Sequence, residues 1–282
     1  MKARIIVAVI FLPIVFVILF FLPPIFLAML IAIICAGSAW ELMRAVGGTR
    51  NREIGLCVAA SPLILFAIYF ATIFSYLQAF QFVAAYLMIV MFVDAFRAYE
   101  SHNSGNTKRQ ISFLHILTAL FVGVILPMML VPLLILRDMP AGRYLVFIPI
   151  ICAFLTDAGA YFSGYFFGKK KAFPKISPKK TIAGCIGGLF TGSLMLFLFG
   201  LIVRSAAEYD VNLWLLIILG FVGSAVTQIG DLAFSLVKRE FDVKDYGKLL
   251  PGHGGMLDRF DSLFFAAPVM YLMIVAFGGV IA

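Results

Sequence analysis

Residues 230–262 read GDLAFSLVKREFDVKDYGKLLPGHGGMLDRFDS, a charged stretch that joins two long apolar segments. Its 33 residues include six carboxylates, five lysines and arginines, one of the three histidines and a glycine-rich turn. Carboxylates beside lysines and such a turn are the groups that a site for a metal ion and phosphates needs. We therefore expect the other 249 residues mainly to hold this stretch at the face of a membrane.

The composition outside this stretch excludes a soluble globular protein. The chain is 63% hydrophobic and 13% charged, with a mean hydropathy of +1.07. Apolar runs of about 20 residues, enough to cross a bilayer, recur along it. Its four cysteines lie in apolar runs without a CxxC spacing, which indicates buried thiols and no disulfide or thiolate metal site. The fold class that follows is an all-α, polytopic integral membrane protein.

We predict about nine transmembrane helices. Their approximate bounds are 4–22, 24–43, 55–74, 76–96, 111–136, 144–167, 181–203, 212–236 and 261–281. This gives an N-terminal transmembrane region of five helices over residues 1–143. A C-terminal catalytic region of four helices and two basic cytoplasmic loops follows over residues 144–282.

The distribution of positive charge predicts the orientation. With the N-terminus in the cytoplasm, 19 of the 22 lysines and arginines fall in cytoplasmic segments. Only Arg137, Arg143 and Arg204 fall outside. This asymmetry predicts a cytoplasmic N-terminus and an external C-terminus. The net charge of +8 is therefore mainly a topology signal, and the chain has no motif for nucleic acid binding.

Polar groups of the sixth and seventh predicted helices indicate a pocket. Asp157 lies inside an apolar helix, where a carboxylate is costly unless it meets a neighbouring helix or a polar cavity. Six lysines then lie between Gly168 and Thr181. They either attract anionic headgroups or, in the segment SPKKT at 177–181, hold phosphates at a helix N-terminus.

Two further patterns predict local helix contacts. Gly184, Gly188 and Gly192 recur every four residues and predict a helix-packing stripe. Glu41 and Arg44 are three residues apart near the end of the second predicted helix, which favours an ion pair at the helix end.

The carboxylates of the opening stretch favour a hard metal ion. Asp231 is two turns from the end of its helix, and Asp258 and Asp261 share a face if a helix begins there. One of the latter two could instead cap that helix. Oxygen ligands of this type suit Mg²⁺, which takes its other ligands from water and phosphates. Zinc is disfavoured because His253 is the one imidazole and no cysteine is present in the stretch. Together with the basic residues, this set indicates phosphoryl or nucleotidyl transfer.

The stretch from Ser235 onward resembles the signature of phosphatidate cytidylyltransferases, also named CDP-diacylglycerol synthases. The shared pattern is S-x-x-K-R-x-x-x-x-K-D, a PGHGG turn and D-R-x-D. The segments DAGAYFSG at 157–164, SPKKT at 177–181 and GDL at 230–232 are also similar to that family, so the resemblance covers about residues 150–270. Two positions depart from it, Phe234 in place of an acidic residue and Tyr246 in place of serine.

The resemblance implies a Mg²⁺-dependent transfer of CMP from CTP to phosphatidate, which gives CDP-diacylglycerol and pyrophosphate in phospholipid biosynthesis. It implies Asp231, Asp258 and Asp261 as metal ligands, allows a second, monovalent cation such as K⁺, and adds Lys238 and His253 as catalytic residues. The residues it implies as substrate contacts are Asp157, Lys179, Lys180, Ser235, Arg239, Lys244, Asp245, Lys248, Gly252, Gly254, Gly255 and Arg259. The expected partners are CTP, phosphatidate and membrane lipid, with a homodimer allowed. The expected location is the cytoplasmic membrane if the chain is bacterial, with the site on the cytoplasmic face.

Two other classes of function remain open at this point. Another membrane phosphotransferase or lipid kinase would also use Mg²⁺ and acidic clusters, although the D-G-x-x-A-R repeat of CDP-alcohol phosphotransferases is absent. An anion transporter would carry paired repeats with broken helices in both halves. Here the intramembrane polar residues lie almost wholly in the second half.

Overall fold

The computed structural model describes residues 11, 13–47, 51–70, 81, 83–93, 95, 113–207, 209–249 and 254–281. Seven long helices account for most of them. These are α1 (Pro24–Val46), α2 (Asn51–Phe70), α3 (Phe113–Asp138, with a π-helical turn at Phe121–Ile125), α4 (Gly142–Phe167), α5 (Ile182–Ala206), α6 (Leu213–Glu240) and α7 (Leu257–Phe277). Shorter helical segments lie at 13–20 and Val83–Val93.

The predicted class of integral membrane protein is confirmed. Within the described ranges, six helices are long and apolar enough to cross a membrane, namely α1 and α3 to α7. The predicted first and fourth spans fall partly outside those ranges, so the number nine stays a prediction. Several predicted ends were misplaced, two of them beside the charged stretch between α6 and α7. α6 runs on through Lys238 and Arg239 to Glu240, and α7 already begins at Leu257. Basic residues at a helix C-terminus and an acidic one in a first turn favour these longer helices.

The lysine-rich segment before α5 forms a short β-hairpin in an otherwise helical protein, which the sequence did not predict. Strand β1 (Lys171–Phe173) pairs antiparallel with β2 (Ser177–Thr181), with Lys171 opposite Thr181. β2 leads straight into α5, and Thr181 Oγ1 accepts the N–H of Gly184 at 3.1 Å, which caps the helix. The structure therefore places Lys179 and Lys180 in a strand beside a capped helix N-terminus.

The chain forms two compact units that interleave along the sequence. The first contains Ile25–Met128 and Phe241–Arg259, and the second contains Leu12–Pro24, Met129–Glu240 and Phe260–Ala282. The first unit contains α1, α2 and the segment between α6 and α7, which is here named the charged loop (241–256). In the second unit, α4, α5 and α6 pack together. The division at residue 143 remains a prediction from the sequence.

The predicted glycine stripe of α5 packs inside the second unit. A Cβ on Gly184 would lie 2.7 Å from the carbonyl oxygen of Ala160 in α4. On Gly188 it would lie 3.2 Å from that of Thr156, and Gly192 faces Thr156 and Ser224. The three glycines are buried. The absence of side chains thus lets α4 and α6 approach α5 closely, as the four-residue spacing predicted.

Substituting Gly220 by alanine is expected to destabilise the second unit. The new Cβ would lie 2.5 Å from Ser193 Cα and 2.9 Å from the carbonyl oxygen of Gly192, both backbone atoms of α5. Overpacking of this kind costs about 1–3 kcal/mol, which exceeds the gain of about 1 kcal/mol from the better helix propensity of alanine. Thermal unfolding in detergent measures the effect. Gly55→Ala is the matched control because no atom lies within 4 Å of its Cβ position, and an equal melting temperature in the two variants would contradict the prediction.

Candidate active site

Three carboxylates from three helices meet in the second unit. They are Asp157 of α4, Asp231 of α6 and Asp261 of α7, and the charges of the first two act on Asp261. Ser262 joins two of them, since its Oγ lies 2.9 Å from Asp157 Oδ2 and 3.3 Å from Asp261 Oδ1. Its backbone N–H donates to Asp261 Oδ1 at 2.7 Å. Only 6% of Asp261 is exposed, so water does little to screen its interactions with the other two carboxyl groups.

Two lysines supply positive charge to this cluster. Lys180 Nζ, from strand β2, lies 2.7 Å from Asp231 Oδ2, and the two side chains are 21% and 27% exposed. Ser235, one turn along α6, donates to Asp231 Oδ1 at 3.2 Å. Lys238 acts on Asp261 through its charge. The hairpin and the end of α6 thus bring cations to carboxylates that would otherwise be costly to bury.

Close helix packing explains why Asp231 and Asp261 are neighbours. A Cβ on Gly230 would lie 2.9 Å from Phe265 Cβ and 3.1 Å from the carbonyl oxygen of Asp261, so only glycine lets α6 approach α7 at this level. Phe234, one of the two departures from the family pattern, is 2% exposed. Its ring lies 6.0 Å from that of Phe264 and from that of Phe265. This departure therefore strengthens the apolar contact between the two helices.

In the first unit, Asp258 organises the charged loop. Its Oδ2 accepts the N–H of Tyr246 at 2.9 Å and the N–H of Gly255 at 3.2 Å. Tyr246, the second departure, is 6% exposed and so packs inside this unit. Gly254 has φ +89°, a conformation that favours glycine. The predicted metal ligand is thus also an acceptor that fixes the backbone on either side of residues 250–253.

Glu41 is a residue whose role the sequence did not reveal. The spacing suggested a helix-end pair with Arg44, but Glu41 is 0% exposed and its Oε2 accepts the N–H of Leu257 at 2.9 Å. Arg44 is exposed, and its guanidinium lies 4.7 Å from the ring centroid of Trp40. Nothing in the local pattern of α1 could have identified an acceptor for a residue 216 positions away.

The other predicted site residues are less tightly placed. Arg239 is exposed, and its Nε donates to the carbonyl oxygen of Ile176 in the turn of the hairpin at 3.2 Å. Exposed side chains are also found at Lys179 in β2, at Lys244, Asp245 and Lys248 in the charged loop and at Arg259 in α7. Gly252 and His253 lie outside the described residues.

The oxygen donors of the second unit are of the kind that a hard divalent cation binds. Asp157, predicted as a substrate contact, belongs to the same cluster as Asp231 and Asp261. A carboxylate inside an apolar helix is the sequence feature that indicates such a position. Among the residues that the structure describes, no group of three or more His, Cys, Asp and Glu side chains is arranged to hold a metal ion by itself. Mg²⁺ commonly takes only one or two carboxylates and completes its ligands with water and substrate phosphates, so the cluster still fits such an ion.

Comparison with known proteins identifies the family. The family model described as the cytidylyltransferase family matches residues 2–277. The chain belongs to this family. Similar proteins named phosphatidate cytidylyltransferase include one from Staphylococcus saprophyticus, 40% identical over 134 residues, which are 48% of this chain and 50% of the relative. One from Staphylococcus epidermidis is 44% identical over 133 residues, which are 47% and 49% of the two chains. One from Staphylococcus aureus is 41% identical over 134 residues, which are 48% and 50%.

The alignments to these relatives cover only part of each chain. The match to each spans about half the length of this cytidylyltransferase family member and about half the length of the relative. The resemblance that the sequence signature indicated is confirmed at the level of the family.

Proposed function

We propose that this chain transfers CMP from CTP to phosphatidate and releases pyrophosphate. The names of its relatives and the signature at 235–262 support this reaction. The observation that carries the proposal is the cluster of Asp157, Asp231 and Asp261 with Lys180 at 2.7 Å from Asp231. A cluster of buried carboxylates with lysines at its edge suits two phosphorylated substrates and a cation, since the charges of all three must be balanced in one place.

In the proposed reaction, an oxygen of the phosphatidate phosphate attacks the α-phosphorus of CTP. The bond between the α-phosphorus and its bridging oxygen to the β-phosphate breaks, and pyrophosphate leaves. The protein is required mainly to position the two phosphates and to neutralise charge. Lys180 and Lys238 would hold phosphate oxygens, and the Ser235 hydroxyl would orient Asp231 through its hydrogen bond.

Mg²⁺ would be held by Asp231 and Asp261, with Asp258 as the third ligand implied by the family signature. When bound, it would neutralise phosphate charge in the transition state. Asp157 would keep Asp261 in place through the shared hydroxyl of Ser262. A second, monovalent cation such as K⁺ belongs to the same proposal.

The finer topology also remains a proposal. We infer nine membrane helices with the N-terminus in the cytoplasm and the C-terminus outside, because 19 of the 22 lysines and arginines then lie on the cytoplasmic side. That orientation would open the site to cytoplasmic CTP in the cytoplasmic membrane of a bacterium. A homodimer is part of the proposal, although the glycine stripe of α5 is used for packing within the second unit.

A labelling experiment tests the reaction. Purified protein in detergent is given phosphatidate and CTP labelled at either the α- or the γ-phosphate, with Mg²⁺ or with a chelator. We expect lipid-soluble label only from α-labelled CTP, pyrophosphate from γ-labelled CTP, and neither product with chelator. Diacylglycerol in place of phosphatidate is the control. Lipid label from γ-labelled CTP with diacylglycerol would instead identify a lipid kinase, and no labelled lipid in any arm would refute the transfer.

A further inference from the structure

The buried carboxylate of Glu41 accepts a backbone N–H from a distant part of the first unit. Glu41 is 0% exposed, and a buried carboxylate is costly unless donors surround it. Its Oε2 accepts the N–H of Leu257 at 2.9 Å. Its Oε1 accepts no hydrogen bond from the residues that the structure describes.

The glycines of the charged loop leave the space that this carboxylate fills. A Cβ on Gly247 would lie 2.6 Å from Glu41 Cδ, and a Cβ on Gly255 would lie 2.5 Å from Glu41 Oε2. One turn earlier in α1, the Cβ position of Gly37 lies 3.4 Å from Met256 Cβ and 3.5 Å from Leu249 Cδ1. One edge of α1 therefore packs against the loop before and after residues 250–253.

The hydrogen bond from the Leu257 N–H to Glu41 Oε2 also stabilises the start of α7 electrostatically. Leu257 is the first residue of α7, so its N–H has no acceptor within the helix. A carboxylate at that position caps the helix and interacts favourably with its dipole. The next residue, Asp258, accepts the N–H groups of Tyr246 and Gly255. Two carboxylates, one from α1 and one from α7, thus hold three backbone N–H groups between residues 246 and 257.

We propose that Glu41 is a positioning residue for the charged loop and for Asp258. It acts through the backbone of the loop and through the first turn of α7, without contact to the substrates. Its effect on catalysis rests on the proposed function, whereas its effect on the loop does not. Helix α1 would thus support a site whose sequence signature lies entirely in the second half of the chain.

Hydrogen exchange and kinetics of Glu41→Ala and Glu41→Gln test the proposal. In the whole chain without substrate, we expect Glu41→Ala to raise amide exchange in peptides covering 246–257 by about tenfold, the factor that one lost hydrogen bond represents. Its kcat/KM should fall by about 10²-fold, the cost of a misplaced catalytic group. Glu41→Gln keeps an oxygen acceptor, and both values should return to within a few-fold of the wild type. Ser38→Ala, at another fully buried polar residue of α1, is the control.

Each outcome decides the proposal. Wild-type exchange over 246–257 in Glu41→Ala would overturn it, and so would equal impairment of Glu41→Gln and Glu41→Ala. If Glu41→Ala does not fold, Gly247→Ala places a methyl group against the same carboxylate and should raise exchange over the same peptides. Unchanged exchange in that variant would overturn the proposal. Absence of cytidylyl transfer in the wild type would refute the proposed function alone, because exchange is measured without substrate.

Discussion

Replacing Asp231 by asparagine is expected to lower kcat/KM for cytidylyl transfer by at least about 10²-fold, the typical cost of losing one electrostatic group of an active site. Asp231 is central to the second unit because it pairs with Lys180 at 2.7 Å, accepts from Ser235 at 3.2 Å and repels Asp261 through its charge. Asparagine has nearly the same shape and can still accept from Ser235. The substitution therefore removes charge and leaves the packing of α6 unchanged.

Steady-state rates with CTP, phosphatidate and Mg²⁺ measure this effect, and thermal unfolding shows whether the variant is folded. The Mg²⁺ concentration for half-maximal rate should also rise, since one oxygen ligand has lost its charge. Asp210→Asn is the matched control because Asp210 is an exposed carboxylate outside the site. A folded Asp231→Asn enzyme with the rate of the control would remove Asp231 from the proposed site.

Features that depend on local sequence were predictable. Hydropathy identified the six spanning helices because a run of about 20 apolar residues has few alternatives in lipid. The spacing of Gly184, Gly188 and Gly192 identified the packing face of α5 because residues four apart lie on one side of a helix. The motifs also indicated Asp231 and Asp261 as site residues, and their role as metal ligands stays a prediction.

Features that depend on contacts between distant segments were not predictable. The partnership of Asp157 with Asp261 passes through Ser262, 105 residues from Asp157, and no periodicity encodes it. Glu41 was interpreted as half of a helix-end pair because Arg44, three residues away, offered a local partner. The hairpin at 171–181 was missed because lysines and prolines are poor strand formers, and its pairing depends on the tight turn between the strands.

Asp258 has one observed role and one proposed role, and substitution can separate them. As an acceptor it holds the N–H groups of Tyr246 and Gly255, and as a charge it is proposed to bind Mg²⁺. Asparagine keeps an acceptor oxygen and loses the charge, whereas alanine loses both. We expect Asp258→Asn and Asp258→Ala each to lower kcat by at least about 10²-fold. Amide exchange at residues 246 and 255 should rise in the alanine variant and stay near the wild-type value in the asparagine variant.

The asparagine variant decides which role governs catalysis. If catalysis required only the hydrogen bonds to Asp258, Asp258→Asn would turn over at nearly the wild-type rate. That result would contradict the proposal that Asp258 is a metal ligand. Asp242→Asn is a suitable control in the same loop, because Asp242 is exposed and has φ +50°, which asparagine also adopts readily. That control should keep both its rate and its exchange pattern. A slow Asp258→Asn enzyme with a protected loop would show that the charge of Asp258 acts on the substrates or their cation beyond fixing the backbone.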